Sequence, residues 1–154
     1  MSYFKLINGI KTVLQEDSRI KTVTEGDIDD FDQYKQNIPA MAHIVVDSAD
    51  MLDNLNTFSV DINIVDAVVE NNNLTIEKFI GNDNRQEVYN DIANVCRRVF
   101  QKLRKFSFGD NIYVQDGATL QKIYQFENDN RLVGWAISFI VEVPDLTIDI
   151  CETV

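Results

Sequence analysis

The stretch Asp129–Cys151, DNRLVGWAISFIVEVPDLTIDIC, constrains the fold more than any other part of the chain. Val133, Trp135, Ile137, Phe139, Val141 and Val143 recur at period two, opposite the small residues Gly134, Ala136 and Ser138. Successive side chains of a strand point to opposite faces, so this spacing predicts a long strand with one buried face. It carries no reactive group. A strand of this kind near the C-terminus, after a long amphipathic helix and in a chain without a catalytic constellation, points to a scaffold or assembly subunit more than to an enzyme.

At 154 residues the chain fits one domain, 1–154, and a domain of this size buries roughly 70% of the surface its extended chain exposes. Its 45% hydrophobic content is that of a globular protein. No apolar run approaches the roughly 20 residues needed to cross a bilayer, so no membrane insertion is expected. The N-terminal segment MSYFKLINGIKTVLQ has charged residues inside its apolar pattern and no small-residue cleavage site. It reads as a helix and not as a signal peptide, and the expected site of assembly is the cytoplasm where the chain is made. Cys96 and Cys151 belong to no CxxC or Cys/His cluster and read as small buried hydrophobes. A net charge of −11 argues against wrapping nucleic acid, because phosphate binding draws its affinity from Lys and Arg. Acidity suits a surface past which DNA slides without sticking, and it is also an ordinary device for solubility.

Phe4, Ile7, Ile10 and Leu14, widened by Leu6 and Val13, place an amphipathic helix over about Tyr3–Gln15. Gly9 weakens it by about 1 kcal/mol relative to Ala. A short strand is expected over Ile20–Thr24, then an acidic loop, EGDIDDFD, and Pro39. MAHIVVD, from Met41, is a compact apolar run that fits a strand buried on both faces, with a polar turn after it at Asp50–Asn56. Phe58, Val60, Ile62 and Ile64 then alternate with Thr57, Ser59, Asp61 and Asn63, a strand whose outer face is wet or meets a polar partner. Asn71, Asn72 and Asn73 break the pattern before LTIEKFI with a reversal. Asn84 with Glu87 matches a capping box, and Val88, Ile92, Val95, Cys96, Val99, Leu103 and Phe106 form the stripe of the principal helix. NIYVQ and LQKIYQF are expected as short strands separated by Asp116 and Gly117, and Glu127–Asn130 as a turn into the last strand, so that the end forms a meander. The fold class is therefore α+β, a single domain with a mainly antiparallel sheet flanked by an N-terminal helix and one long central helix.

Few residues invite a chemical reading. Asp27, Asp29, Asp30 and Asp32 resemble the start of a calcium loop, but the sixth and twelfth positions hold Asp32 and Ile38 where an EF-hand needs glycine and glutamate. A solvated or partner-facing loop is the simpler reading. Arg97, Arg98, Lys102, Arg104 and Lys105 make the only dense positive patch of an acidic chain. Two readings stand: cations complementing the negative end of the helix dipole, with Asp83, Glu87 and Asp91 toward its start, or cations meeting an acidic face of a neighbouring copy or partner. His43, the only histidine, reads as a satisfied structural residue, and Trp135 as core. No GxSxG, HExxH or phosphate-cradling glycine loop occurs. No enzymatic activity, metal or cofactor is expected, although scattered carboxylates meeting in the fold would keep a small carboxylate-dependent metal enzyme as an alternative.

The N-terminal helix, the apolar strand before Asp47, the alternating TFSVDINIVDA strand, the NRQEVYNDIANVCRRVFQKL helix and the closing VGWAISFIVEVPD strand follow one another along most of the chain. This order resembles that of the tail terminator, or tail completion, proteins of long-tailed bacteriophages. The likeness is one of pattern and of a Gly-Trp strand near the end, not of a catalytic signature, and no residue inherits a role from it. It implies a subunit of a hexameric ring in the virion, at the head-proximal end of the tail. Such a ring caps the tail tube, ends its growth and joins it to the neck. The implied partners are copies of the chain, the tail tube protein and a neck or connector protein, with DNA passing through without specific binding. Under this reading the lumen would be lined by Asp27, Asp29, Asp30 and Asp32, where repulsion keeps phosphate from binding. A neck or head-closure connector is the nearest alternative.

Overall fold

Buried apolar faces set the architecture. The computed structural model describes residues 2–26, 40–68, 84–105, 112–124 and 131–144. In chain order these form α1 (Ser2–Glu16), β1 (Thr22–Glu25), β2 (Met41–Met51), β3 (Leu55–Ala67), α2 (Arg85–Lys105), β4 (Tyr113–Val114), β5 (Thr119–Ile123) and β6 (Leu132–Pro144). The six strands make one mixed sheet in the order β1-β2-β3-β6-β4, with β5 also on β6. Only β1 and β2 run parallel; every other pair is antiparallel. The fold is α+β, as the patterning predicts.

The alternation in the two longest strands decides which face is covered. Phe58, Val60, Ile62 and Ile64 of β3 lie opposite Val141, Phe139, Ile137 and Trp135 of β6. Together with Ala42 and Ile44 of β2 they share one core with both helices. From α2 come Val88, Ile92, Val95, Cys96, Val99 and Leu103, all buried, and each side chain of that size contributes about 1.5–3 kcal/mol by leaving water. Asn84 directly precedes the first helical residue, where the capping pattern puts it. From α1 come Leu6, Ile10, Val13 and Leu14. Phe4, counted into that stripe from its spacing, is 68% exposed. At roughly 100° per residue it points well away from the centre of the buried face, which lies between Leu6 and Ile10.

Three expectations are revised. The turn expected over Asp50–Asn56 is present but shorter: β2 runs on to Met51, β3 begins at Leu55, and Leu52 and Leu55 bond each other's backbone across Asp53 and Asn54. A two-residue reversal suffices there because Asp and Asn tolerate the required backbone conformation. The short early strand starts at Thr22 and not at Ile20, whose side chain is instead buried in the core. Finally, β4 and β5 do not form a meander. Both lie on the same edge of β6, as one edge strand interrupted where Gln115–Ala118 face only Phe139 and Ile140. Gly117, with φ of +93°, makes the detour possible. The Asn71–Asn73 reversal, LTIEKFI, Phe106, the Glu127–Asn130 turn and Cys151 lie outside the described residues.

The small residues on the other face of β6 now have a reason. Gly134 pairs with Val65, and a Cβ on it would lie 1.9 Å from the Ile64 carbonyl oxygen. Backbone cannot yield as a flexible side chain can. The variant Gly134→Ala should therefore push β6 off β3 and destabilise the protein by about 3 kcal/mol. Urea denaturation checks this through a lower midpoint at unchanged slope; an unchanged midpoint would contradict the close approach.

Candidate interaction surface

The cations of α2 divide into two groups. Arg98 turns toward the end of α1, where its Nε donates to Asp17 Oδ2 at 3.1 Å and a terminal nitrogen donates to Oδ1 at 3.2 Å. Asp17 is itself buried. Burial alone would raise its carboxyl pKa, but the Arg98 guanidinium and the Arg19 amide, 3.0 Å from Oδ1, outweigh that and hold it below the ordinary value. Arg19 extends the cluster through Asp66 at 2.9 Å and Asp91 of α2 at 3.4 Å. On the other flank, Arg104 pairs with Asp116 at 2.5 Å and sits 5.7 Å from the centre of the Phe100 ring. Arg98 and Arg104 thus tie α2 to α1 and to the interrupted edge strand. Lys102 is half-buried and adds to the positive field on Asp17. Arg97 and Lys105 are exposed and make no ion pair among the described residues. The positive patch available to a partner is smaller than the sequence spacing implies. Asp27, Asp29, Asp30 and Asp32 lie outside the described residues.

Two features invisible to motif reading are more exposed. β1 pairs only with Met41–Ile44, so among the described residues the outer edge of β2 beyond Val46 is open. This half of β2 and the start of β3 form a hairpin that ends in Met51, 83% exposed, and Leu52, 58% exposed. Apolar side chains at the tip of a hairpin are unusual for a solvated turn, whereas open strand edges are commonly blunted by charge and by bulges. Asp47 and Asp50 supply the charge, and a register shift between Val46 and Ser48 supplies the bulge. At the opposite edge, the Tyr89 hydroxyl donates to the Ile123 carbonyl at 2.9 Å and Lys122 lies 4.3 Å from the centre of the Tyr89 ring, so α2 anchors β5 from above.

On the face away from the helices, Asp61 and Ser138 pair across β3 and β6, and Ser138 Oγ donates to Asp61 Oδ1 at 2.5 Å. Interaction with Asp61, and then burial, push the Asp47 carboxyl up to about 6. Beside them is a pocket of about 480 Å³ under the Gln115–Ala118 detour. His43 on the same face is fully buried, with Nδ1 2.7 Å from Thr24 Oγ1, which is the environment of a structural histidine. Trp135 donates from Nε1 to the Tyr89 carbonyl at 2.8 Å and packs edge-on to that ring, as a core residue does. Burial pushes the Cys96 thiol up to about 12, a value at which it is no nucleophile near neutral pH. Among the described residues no three carboxylate, His or Cys side chains converge as metal ligands.

A scan against protein-family models and a search of the curated proteins found no match to this chain.

The Arg98 bridge yields a signed expectation. A carboxyl whose pKa is depressed by folding contributes stability that is present above its unfolded pKa and is lost as pH falls through the folded value. Arg98→Ala should strand the buried Asp17 charge and cost about 1–2 kcal/mol near neutral pH, discounted for the half-exposed guanidinium. The deficit should shrink below about pH 4 as Asp17 is protonated. Thermal denaturation of both proteins at several pH values checks this, and a deficit independent of pH would contradict it.

Proposed function

We propose that this protein is a structural virion subunit of a long-tailed bacteriophage, a terminator that forms a ring on the head-proximal end of the tail tube. The ring ends tube growth and joins the tail to the neck, with no chemical transformation of a substrate. The observation that carries this reading is the order of elements: α1, an apolar strand, the alternating β3, the long α2 and the closing Gly-Trp strand β6. The exposed apolar tip of the β2–β3 hairpin supports it, as do the exposed cations Arg97 and Lys105, which make no ion pair among the described residues, since ring subunits need complementary surfaces on two sides. Net charge supports it too. A surplus of acidic side chains, −11 overall, repels phosphate and lets DNA pass a lumen without being held.

The mechanism is steric and interfacial. Each contact between neighbours is weak, and closure of a six-membered ring makes the sum strong by multivalency. Association would be steered by charge more than stabilised by it, because exposed ion pairs contribute at most about 1 kcal/mol each.

Electron microscopy of the purified chain mixed with its tail tube protein tests the reading. Rings on one end of each tube, and shorter tubes as the chain is titrated in, are expected. Rings that bind the neck assembly and ignore tube ends would move the function to a head-closure connector. A chain that leaves tube length unchanged and binds neither would refute the proposal. Reversal of the exposed cations, Arg97→Glu with Lys105→Glu, should slow ring formation several-fold at low salt and leave the circular dichroism spectrum intact. Arg98 is unsuited to this test because its loss acts on folding.

A further inference from the structure

The sheet ends on two strands that carry charge of opposite sign. β1 pairs with β2 and β5 with β6, and among the described residues neither has a strand on its other side. The registers put the two at one level: Glu25 pairs with Ile44, Ile44 with Ile62, Ile62 with Ile137 and Ile137 with Leu120. Residues on such a line share a face, so Glu25 of β1 and Leu120 and Lys122 of β5 all lie on the helix side of the sheet. Glu25 is the only charged residue of β1, and Lys122 the only one of β5. Both are exposed, and neither forms an ion pair among the described residues. Strand direction adds a second match. β1 runs parallel to β2, and β2, β3, β6 and β5 alternate in direction, so β1 and β5 are opposed.

We propose that the β5 edge of one copy adds antiparallel to the β1 edge of the next, with Lys122 opposite Glu25, so that the sheets of neighbouring subunits run on into one another. The joint rests on the ring reading and names the surfaces that would close the ring. A second copy set beside the first without being turned over offers its β5 to β1 in the antiparallel sense and keeps the helices of both on one side. Such a contact is head-to-tail, as a ring requires. It supplies main-chain hydrogen bonds along both strand edges, the mode by which an added strand gains affinity. Unlike edges attract each other here, whereas like edges would bring together strands of one charge sign.

Side chains fix the register. Beside β1 a groove of about 370 Å³ opens between the strand and α1, with Ile7, Val23 and Ile44 as its apolar part and Asn8, Lys11 and Glu25 as its polar part. On the other edge Tyr124, directly after β5, is 69% exposed. Its ring centre lies 5.1 Å from the Lys122 ammonium, which also sits 4.3 Å from the Tyr89 ring of α2, so Tyr124 too is on the helix side. With Lys122 opposite Glu25, Tyr124 falls opposite Val23 and its ring enters the groove. Lys11 in the groove wall suits the face of a tyrosine and would repel a second lysine, which places Lys122 at the Glu25 end of β1. The Tyr3 hydroxyl donates to Glu25 Oε1 at 3.1 Å and steadies the carboxylate that receives the cation. A slip of one residue would turn Lys122 and Tyr124 to the far face.

Disulfide cross-linking of the full chain tests the joint. Directly opposed residues of an antiparallel pair have Cα atoms about 4.5–5.5 Å apart, within reach of a disulfide. On a Cys151→Ser background, the double variant Glu25→Cys with Lys122→Cys should oxidise to a ladder of covalent oligomers above the dimer. A mixture of the two single variants should stop at dimers, and either single variant alone should stay monomeric. Without cross-linking, Lys122→Glu should weaken assembly several-fold in native mass spectrometry, and adding Glu25→Lys to the same chain should restore it, with circular dichroism spectra unchanged. Dimers from one single variant alone would mean that like edges pair, and would overturn the joint. Rings that form while the double variant gives no ladder would also overturn it and leave the ring reading in place. A ladder from a chain that ignores tube ends would support the joint and remove the terminator reading. A chain that shows no oligomer by either method would overturn both.

Discussion

Thirteen consecutive residue pairs, from Leu55↔Pro144 to Ala67↔Leu132, join β3 to β6, and their register determines almost everything else. Side chains alternate along both strands, so a slip of one residue would turn Phe58, Val60, Ile62 and Ile64 away from the helices. The register is pinned where backbones come closest, at Gly134 against Ile64, a position that accepts no side chain. The same pairing brings Asp61 opposite Ser138 and leaves the outer edge of β6 for the interrupted strand beneath α2.

Much of this frame is legible in the residues themselves. Long periodic segments commit to one element, and the stripe from Val88 to Leu103 leaves no alternative to a helix packed on a sheet. Short-range geometry is less legible. Pro and Gly announce turns, but Asp50–Asn56 is merely polar, and polar residues suit an exposed hairpin arm as well as a loop. A hairpin centred on Asp53 and Asn54 would place Asp47 opposite Val60. Only the conflict between a carboxylate and a core position hints that a bulge must intervene. Phe4 shows the converse failure, because spacing alone cannot say which of two overlapping helical faces meets the sheet.

Charge tells a similar story. In sequence the basic run of α2 is a single patch, but a helix distributes neighbours around its axis, and Arg98 and Arg104 fall on opposite flanks. Each finds an acid on a different element, which no pairing rule confined to one helix could foresee. Of this basic run, Arg97 and Lys105 are exposed and make no ion pair among the described residues, and the hydrophobic tip of the hairpin is exposed too. Electrostatics here serves internal assembly first. The Asp17–Arg98 bridge and the Arg19 cluster weld the end of α1 to α2 and to the end of β3.

The central claim is that this chain works by contact with copies of itself. Native mass spectrometry across a range of concentrations, with and without the tail tube protein, measures that directly. The account predicts a closed cyclic species, populated in the mixture and favoured by higher concentration or lower salt. A single monomer mass under every condition would contradict it.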